Sequence, residues 1–179
     1  TQRFQSHFDE TYPGVVNVVP IIWPCSNRIG ILRDYFTDRD SADLSGVPLY
    51  RAMGKFYDWQ VDNIRKGKTC YKSINVLAHS MGNRVLKGAV RMFRERVDSR
   101  VRIFDNVFCK AADINAATIG EMGLPQITKK LVTYWSPDDV ALNGSKLVNL
   151  SLSDGFVPMS TRRGAVGVDK HMLEEHPNT

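Results

Sequence analysis

The sequence predicts an α/β fold, a mostly parallel sheet covered by helices on both faces, in one domain over residues 1–179. Three observations predict it. Apolar runs at 15–23, 76–78, 107–109 and 131–135 alternate with amphipathic stretches, as buried parallel strands joined by crossover helices do. The stretch Ser73-Ile74-Asn75-Val76-Leu77-Ala78-His79-Ser80-Met81-Gly82-Asn83-Arg84-Val85-Leu86 reads as a buried strand, a tight turn carrying a serine, and a helix. Ser80, Asp113 and Asp139 fall at the carboxyl ends of predicted strands, where sheets of this kind hold their ligands.

Taken in order, residues 1–14 are polar and without period, and Tyr12-Pro13-Gly14 marks a turn. Residues 15–23 form a strand candidate rich in β-branched side chains, placed near a sheet edge or bent by Pro20. Residues 24–43 carry mixed charge and read as a long excursion over the strand ends, with room for a short helix, in a position to line a substrate cleft. Pro48 suits a first helical turn, and Leu49, Met53, Phe56, Gln60 and Ile64 then share one face of a helix running to about Arg65. After the serine turn, Val85, Leu86, Ala89, Val90, Phe93 and Val97 form the apolar stripe of the next helix. A strand centred on Val107-Phe108-Cys109 ends near Asp113, a short helical segment covers 116–122, and a fourth strand covers 131–135. A last helix is expected at 140–148. From residue 149 onward no convincing strand follows.

The spacing around Ser80 has a chemical reading. A serine on a cramped strand-to-helix turn projects its hydroxyl clear of the backbone, and small residues two before and two after it, here Ala78 and Gly82, avoid collision. The same turn brings the Met81 N–H and the positive end of the following helix towards a developing oxyanion. Ser80 is thus a candidate nucleophile. The competing reading makes it an ordinary helix N-cap, which requires neither the small neighbours nor the apolar run before it.

This stretch resembles the serine hydrolases of the α/β-hydrolase superfamily. The wording Ala78-His79-Ser80-Met81-Gly82-Asn83 is similar to a bacterial branch of uncharacterised α/β-hydrolase proteins, a domain of unknown function. Ile22-Trp23-Pro24, the charged run at 35–43, Phe108-Cys109-Lys110-Ala111-Ala112-Asp113 and the segment 134–142 look like the same branch in the same order. The resemblance covers roughly residues 15–150 and implies a three-layer α/β-hydrolase sandwich. It also implies an earlier strand ending in a His-Gly turn that supplies a second oxyanion donor. Nothing like that turn precedes Val15, so the chain reads as the middle of a hydrolase, missing early strands and the last strand.

A serine hydroxyl needs a histidine to take its proton and a carboxylate to hold that histidine. The order in this fold is serine, acid, histidine. Order, strand-end placement and the resemblance point to Asp139 as the acid, with Asp138 its neighbour and rival. Ser136-Pro137-Asp138-Asp139 also fits a helix start in which Asp139 reaches back to a Ser136 cap. Asp113 is instead expected to cap the following segment or line the cleft. Of the four histidines, His7 comes too early and His79 is expected to point away from Ser80 as a packed or hydrogen-bonded neighbour. His171 is the candidate base and His176 its alternative, although neither follows a recognisable strand.

Composition fits this frame. Hydrophobic residues make up 42% and charged residues 24% of the 179, ordinary for a globular domain. No apolar run approaches the ~20 residues of a membrane span, and localisation defaults to the cytoplasm. Cys25, Cys70 and Cys109 are too widely spaced for a metal-ligand pair and odd in number, against a disulfide framework. Cys109 reads as a core residue. The net charge of +5 comes largely from Arg84, Lys87, Arg91, Arg94 and Arg96, opposite the apolar stripe, which is the pattern of a solvated helix face rather than of a nucleic-acid site. The expected function is a serine hydrolase acting on a small-molecule ester, thioester or related acyl bond, with no metal or organic cofactor. The alternative is a non-catalytic binding or scaffold protein on a degenerate hydrolase fold. Nothing specifies an oligomer.

Overall fold

A computed structural model describes residues 2–25, 33–68, 73–96, 102–114 and 123–134. Its elements are α1 (Gln2–Thr11), α2 (Arg33–Arg65), β1 (Asn75–His79), α3 (Gly82–Arg94), β2 (Phe104–Lys110), α4 (Leu124–Ile127) and β3 (Thr128–Tyr134). The strands form a parallel sheet in the order β1-β2-β3. The fold is α/β, as the alternation of strands and helices predicts.

The register fixes the two faces of the sheet. Val76, Val107 and Leu131 are aligned across the strands, as are Ala78, Cys109 and Thr133. Paired residues in a parallel sheet share a face, and this one lies in the core with the α3 stripe and Met53 of α2. Val85, Leu86, Ala89, Val90 and Phe93 of α3 are all buried, as their spacing demands. The ring of Tyr57 meets Phe93 edge-on at 5.8 Å between centroids, joining α2 to the same core. On the opposite face Leu77 aligns with Phe108 and Val132. No described helix covers that face, and Leu77 is 54% exposed. The expectation of a wholly buried β1 is therefore corrected, since only Ala78 of that strand is buried.

Helix α2 is longer than the sequence suggests. It begins at Arg33, within the expected excursion at 24–43, and carries Pro48 in its interior. Pro48 cannot donate to the carbonyl of Leu44, but both residues lie on the exposed side, where that carbonyl is open to solvent. What holds the helix together is its packing on α3. Gly46 and Gly88 meet backbone to backbone: a Cβ added at Gly46 would sit 2.9 Å from the Gly88 Cα and 3.1 Å from the Ala89 nitrogen. Arg84 pairs with Asp43 at 2.8 Å, and Arg96 with Asp58 at 2.8 Å. The basic face of α3 is thus partly engaged by α2 rather than solvated throughout. Of the apolar positions predicted for α2, Met53 is buried and Ile64 is exposed, beyond the reach of the core.

Two differences lie at the start of the chain. Residues 2–11 are helical although they bury no side chain, held instead by local polar contacts such as Gln5 to Asp9 and Thr11 to the His7 carbonyl. The strand candidate at 15–23 forms no strand and pairs with no described strand, and Val15, Val19, Ile21 and Ile22 are exposed. The Gln5 side chain supplies what a neighbouring strand would, donating to the Val16 carbonyl and accepting from the Val18 N–H.

At the amino-terminal edge of the sheet, Asp105 accepts a hydrogen bond from Lys129 of β3 and another, at 2.9 Å, from the Ile74 N–H. Lys129 first, and then Ile74, hold its carboxyl below the usual value of 3.8 against the opposing effect of burial. A depressed carboxylate contributes stability above its unfolded pKa and loses it as pH falls through the folded value. Asp105→Asn should therefore melt earlier than the parent at neutral pH, by about 1 kcal/mol. The difference should close below pH 3.8, which thermal melts of both proteins across pH would show.

Cys109 lies in the core, as expected, and burial pushes its thiol up to about 12. Cys25 is exposed. A maleimide should modify Cys25 in the native protein and reach Cys109 only on unfolding, as peptide-level mass spectrometry would read out.

Candidate active site

Strand β1 ends at His79, and the next residue, Ser80, has φ 50°, in the left-handed region that an L-residue other than Asn or Asp rarely adopts. Its N–H still continues the ladder, donating to the Lys110 carbonyl at 3.0 Å. The chain then enters α3 at once. Met81, with φ -59° and ψ -20°, is already helical, and it makes no side-chain cap hydrogen bond. The Ser80 carbonyl accepts from the Asn83 N–H at 3.0 Å, and the Met81 carbonyl from the Arg84 N–H at 2.9 Å. Among the described residues, neither the Ser80 hydroxyl nor the Met81 N–H has a hydrogen-bond partner. Both stand at the positive end of α3, where anionic charge is favoured.

The two small neighbours of Ser80 differ. Ala78 is buried in the core between sheet and helix. A Cβ added at Gly82 would meet nothing within 4 Å among the described residues, so the collision argument holds for position 78 and finds no support at 82.

A second sharp turn lies alongside. Ala111, just past β2, has φ 45° and donates its N–H to the Tyr134 carbonyl at 3.0 Å. This bend carries Asp113 back to the serine turn, where its N–H approaches the Ser80 carbonyl at 3.4 Å. Asp113 is 4% exposed, and its Oδ2 accepts a 3.0 Å hydrogen bond from the hydroxyl of Tyr35, in the first turn of α2. The beginning of α2, the end of β2 and the serine turn thus converge on the carboxyl side of the sheet.

Of the residues singled out from sequence, the structure brings Ser80, Met81 and Asp113 together. His79 is exposed on the sheet face away from α3, so the expectation of a packed neighbour is corrected. His7 is exposed on α1. Asp138, Asp139, His171 and His176 lie outside the described residues, as do the helices expected at 116–122 and 140–148. Tyr35 and Asn83 were not given roles by sequence reasoning. Nothing local marks Tyr35, whose partner is 78 positions away. Asn83 carries a legible signal, because it falls in register with Leu86, Val90 and Phe93 on an otherwise apolar stripe. Among the described residues no group of three or more His, Cys, Asp or Glu side chains is placed to hold a metal ion. No described helix is long and apolar enough to cross a membrane.

Residues 6–169 match the model of a family described as alpha/beta hydrolase of unknown function (DUF900). The chain belongs to this family. Neither a curated protein nor a solved structure gives a match. Membership in DUF900 agrees with the α/β-hydrolase resemblance of the stretch at 78–83, and the parallel sheet with its strand–turn–helix is part of the corresponding fold. The family description names no reaction, so the chemistry has to be argued from the site.

Proposed function

We propose that the chain is a serine hydrolase that cleaves an ester, thioester or related acyl bond of a small molecule through an acyl-enzyme. Ser80 Oγ bonds to the carbonyl carbon as a histidine takes its proton. Collapse of the tetrahedral intermediate breaks the bond to the alcohol or thiol, which leaves with that proton. Water then attacks the acyl-enzyme by the same route and frees Ser80. The Met81 N–H and the first turn of α3 stabilise the oxyanion. Asp139 orients the histidine, for which His171 is the first choice and His176 the second.

The observation that carries this reading is the φ of 50° at Ser80. Holding an L-residue there costs about 1–2 kcal/mol, and glycine would make the same turn more cheaply. Ala111 holds a similar φ of 45° with only a methyl side chain, so what sets Ser80 apart is that its conformation leaves a hydroxyl without a partner among the described residues at a helix N-terminus.

A fluorophosphonate probe tests the proposal, with the modified residue located by mass spectrometry. Labelling at Ser80 is expected, and it should be absent in Ser80→Ala. His171→Ala, His176→Ala and Asp139→Asn should then identify the proton-transfer partners by their loss of labelling rate. A folded protein that leaves Ser80 unlabelled would overturn the hydrolase reading in favour of the binding protein.

A further inference from the structure

Three backbone carbonyls converge beneath the serine turn. That of Ala78 belongs to β1, that of Ser80 to the turn, and that of Lys110 to the end of β2. Their oxygens repel one another unless a donor lies between them. The Asn83 side chain supplies it: Nδ2 lies 3.2 Å from the Ala78 oxygen, 3.0 Å from the Ser80 oxygen and 3.4 Å from the Lys110 oxygen. Asn83 is 1% exposed. Its amide orientation is fixed, since turning it over would aim Oδ1 at three carbonyl oxygens.

We propose that Asn83 is the positioning residue of the candidate nucleophile, its side-chain amide clamping the turn so that Ser80 keeps its left-handed conformation. The idea rests on Ser80 being the nucleophile. Its own support is the unequal use of the Asn83 side chain, because Oδ1 is buried with no partner among the described residues. Burying an unpaired acceptor opposes folding. A residue retained only to fill the core would be apolar, as its stripe partners Leu86, Val90 and Phe93 are. Asn83 is there for its two N–H bonds, and their acceptors include the residue under strain. The Ser80 carbonyl keeps the Asn83 and Asp113 backbone N–H groups when the side-chain amide is lost, but the Ala78, Ser80 and Lys110 oxygens then face one another without the donor between them, which loosens the turn and lets the hydroxyl shift from the first turn of α3.

The test compares fluorophosphonate labelling rates at Ser80, per folded molecule, for the parent chain, Asn83→Ala, Asn83→Thr and the control Val90→Ala. Val90 is fully buried on α3, ten residues beyond the serine, and its truncation loosens the core without touching the turn. Both Asn83 variants should label more slowly, by about 100-fold for the alanine if the hydroxyl moves by an ångström. Val90→Ala should label at the parent rate despite a lower melting temperature. Hydrogen exchange should also quicken at the Ser80 amide in the Asn83 variants while the amides of β3 keep their protection. Should Asn83→Ala not fold, Asn83→Thr carries the same comparison, because it keeps bulk and one donor. A labelled parent with equally labelled Asn83 variants would overturn the clamp alone. Equal slowing in Val90→Ala would overturn it in favour of general loosening. An unlabelled parent would overturn the hydrolase reading and this role together.

Discussion

Ser80→Gly should melt higher than the parent while losing all labelling by an acyl-directed probe. Glycine adopts the left-handed region without the ~1–2 kcal/mol that serine incurs. The greater freedom of an unfolded glycine returns about 0.5–1 kcal/mol of this. A net gain approaching about 1 kcal/mol remains, or roughly 2–4 °C in melting temperature for a chain of this size. Ser80→Ala separates the two effects. It lacks the hydroxyl but keeps the side-chain strain, so labelling should vanish with the melting temperature almost unchanged. Melting of Ser80→Gly below the parent would mean that the serine side chain stabilises the turn, contrary to the argument from its φ.

The second large effect concerns the crossing of α2 and α3. Gly46→Ala places a methyl 2.9–3.1 Å from three backbone atoms of Gly88 and Ala89, none of which can swing aside. The helices must separate, at about 1–3 kcal/mol for overpacking, and the better helix propensity of alanine recovers no more than about 1 kcal/mol. The reverse substitution meets less resistance, because a Cβ at Gly88 would sit 3.3 Å from the Gly46 Cα and 3.5 Å from the Asp43 carbonyl. Gly88→Ala should therefore be close to neutral while Gly46→Ala loses several degrees, and thermal denaturation of the pair would show the asymmetry. Since α2 carries Tyr35 to Asp113, Gly46→Ala should also slow labelling at Ser80.

The parts of this fold that could be read in advance are those in which one local pattern and one burial environment agree. The α3 stripe gives the buried face from Val85 to Phe93, its last position, Val97, lying outside the described residues, and the run around Cys109 gives a core strand. Ser80 was legible because a strand, a turn and a helix are compressed into 14 residues with a serine between small neighbours. The rest depended on distant partners. The first half of α2 has no long apolar period, and its helix is maintained by contact with Gly88 and by the Asp43–Arg84 pair. Helix α1 is short and stapled by polar side chains, which hydrophobic periodicity does not register. The run at 15–23 has strand composition but pairs with no described strand, because β-branched side chains favour extended backbone without dictating a partner. Asp113 was expected either to cap the following segment or to line the cleft, whereas Tyr35 is brought to it only because α2 begins as early as Arg33.

The bonds that complete the serine turn impose an order on how the protein acquires its site. Ser80 and Asn83 both donate to the carbonyl of residue 110, some thirty positions further along the chain. The elbow stretch alone lacks that acceptor, and β1 has no described strand partner but β2, so α3 can form early while Ser80 stays free to leave its strained conformation. Only docking of β2 locks it. On a growing polypeptide the serine turn would remain unformed until the third quarter of this sequence had emerged, and during refolding it should mature with the slow, non-local pairing of the parallel strands. A chain interrupted before residue 110 would carry the whole motif in its sequence and none of its geometry.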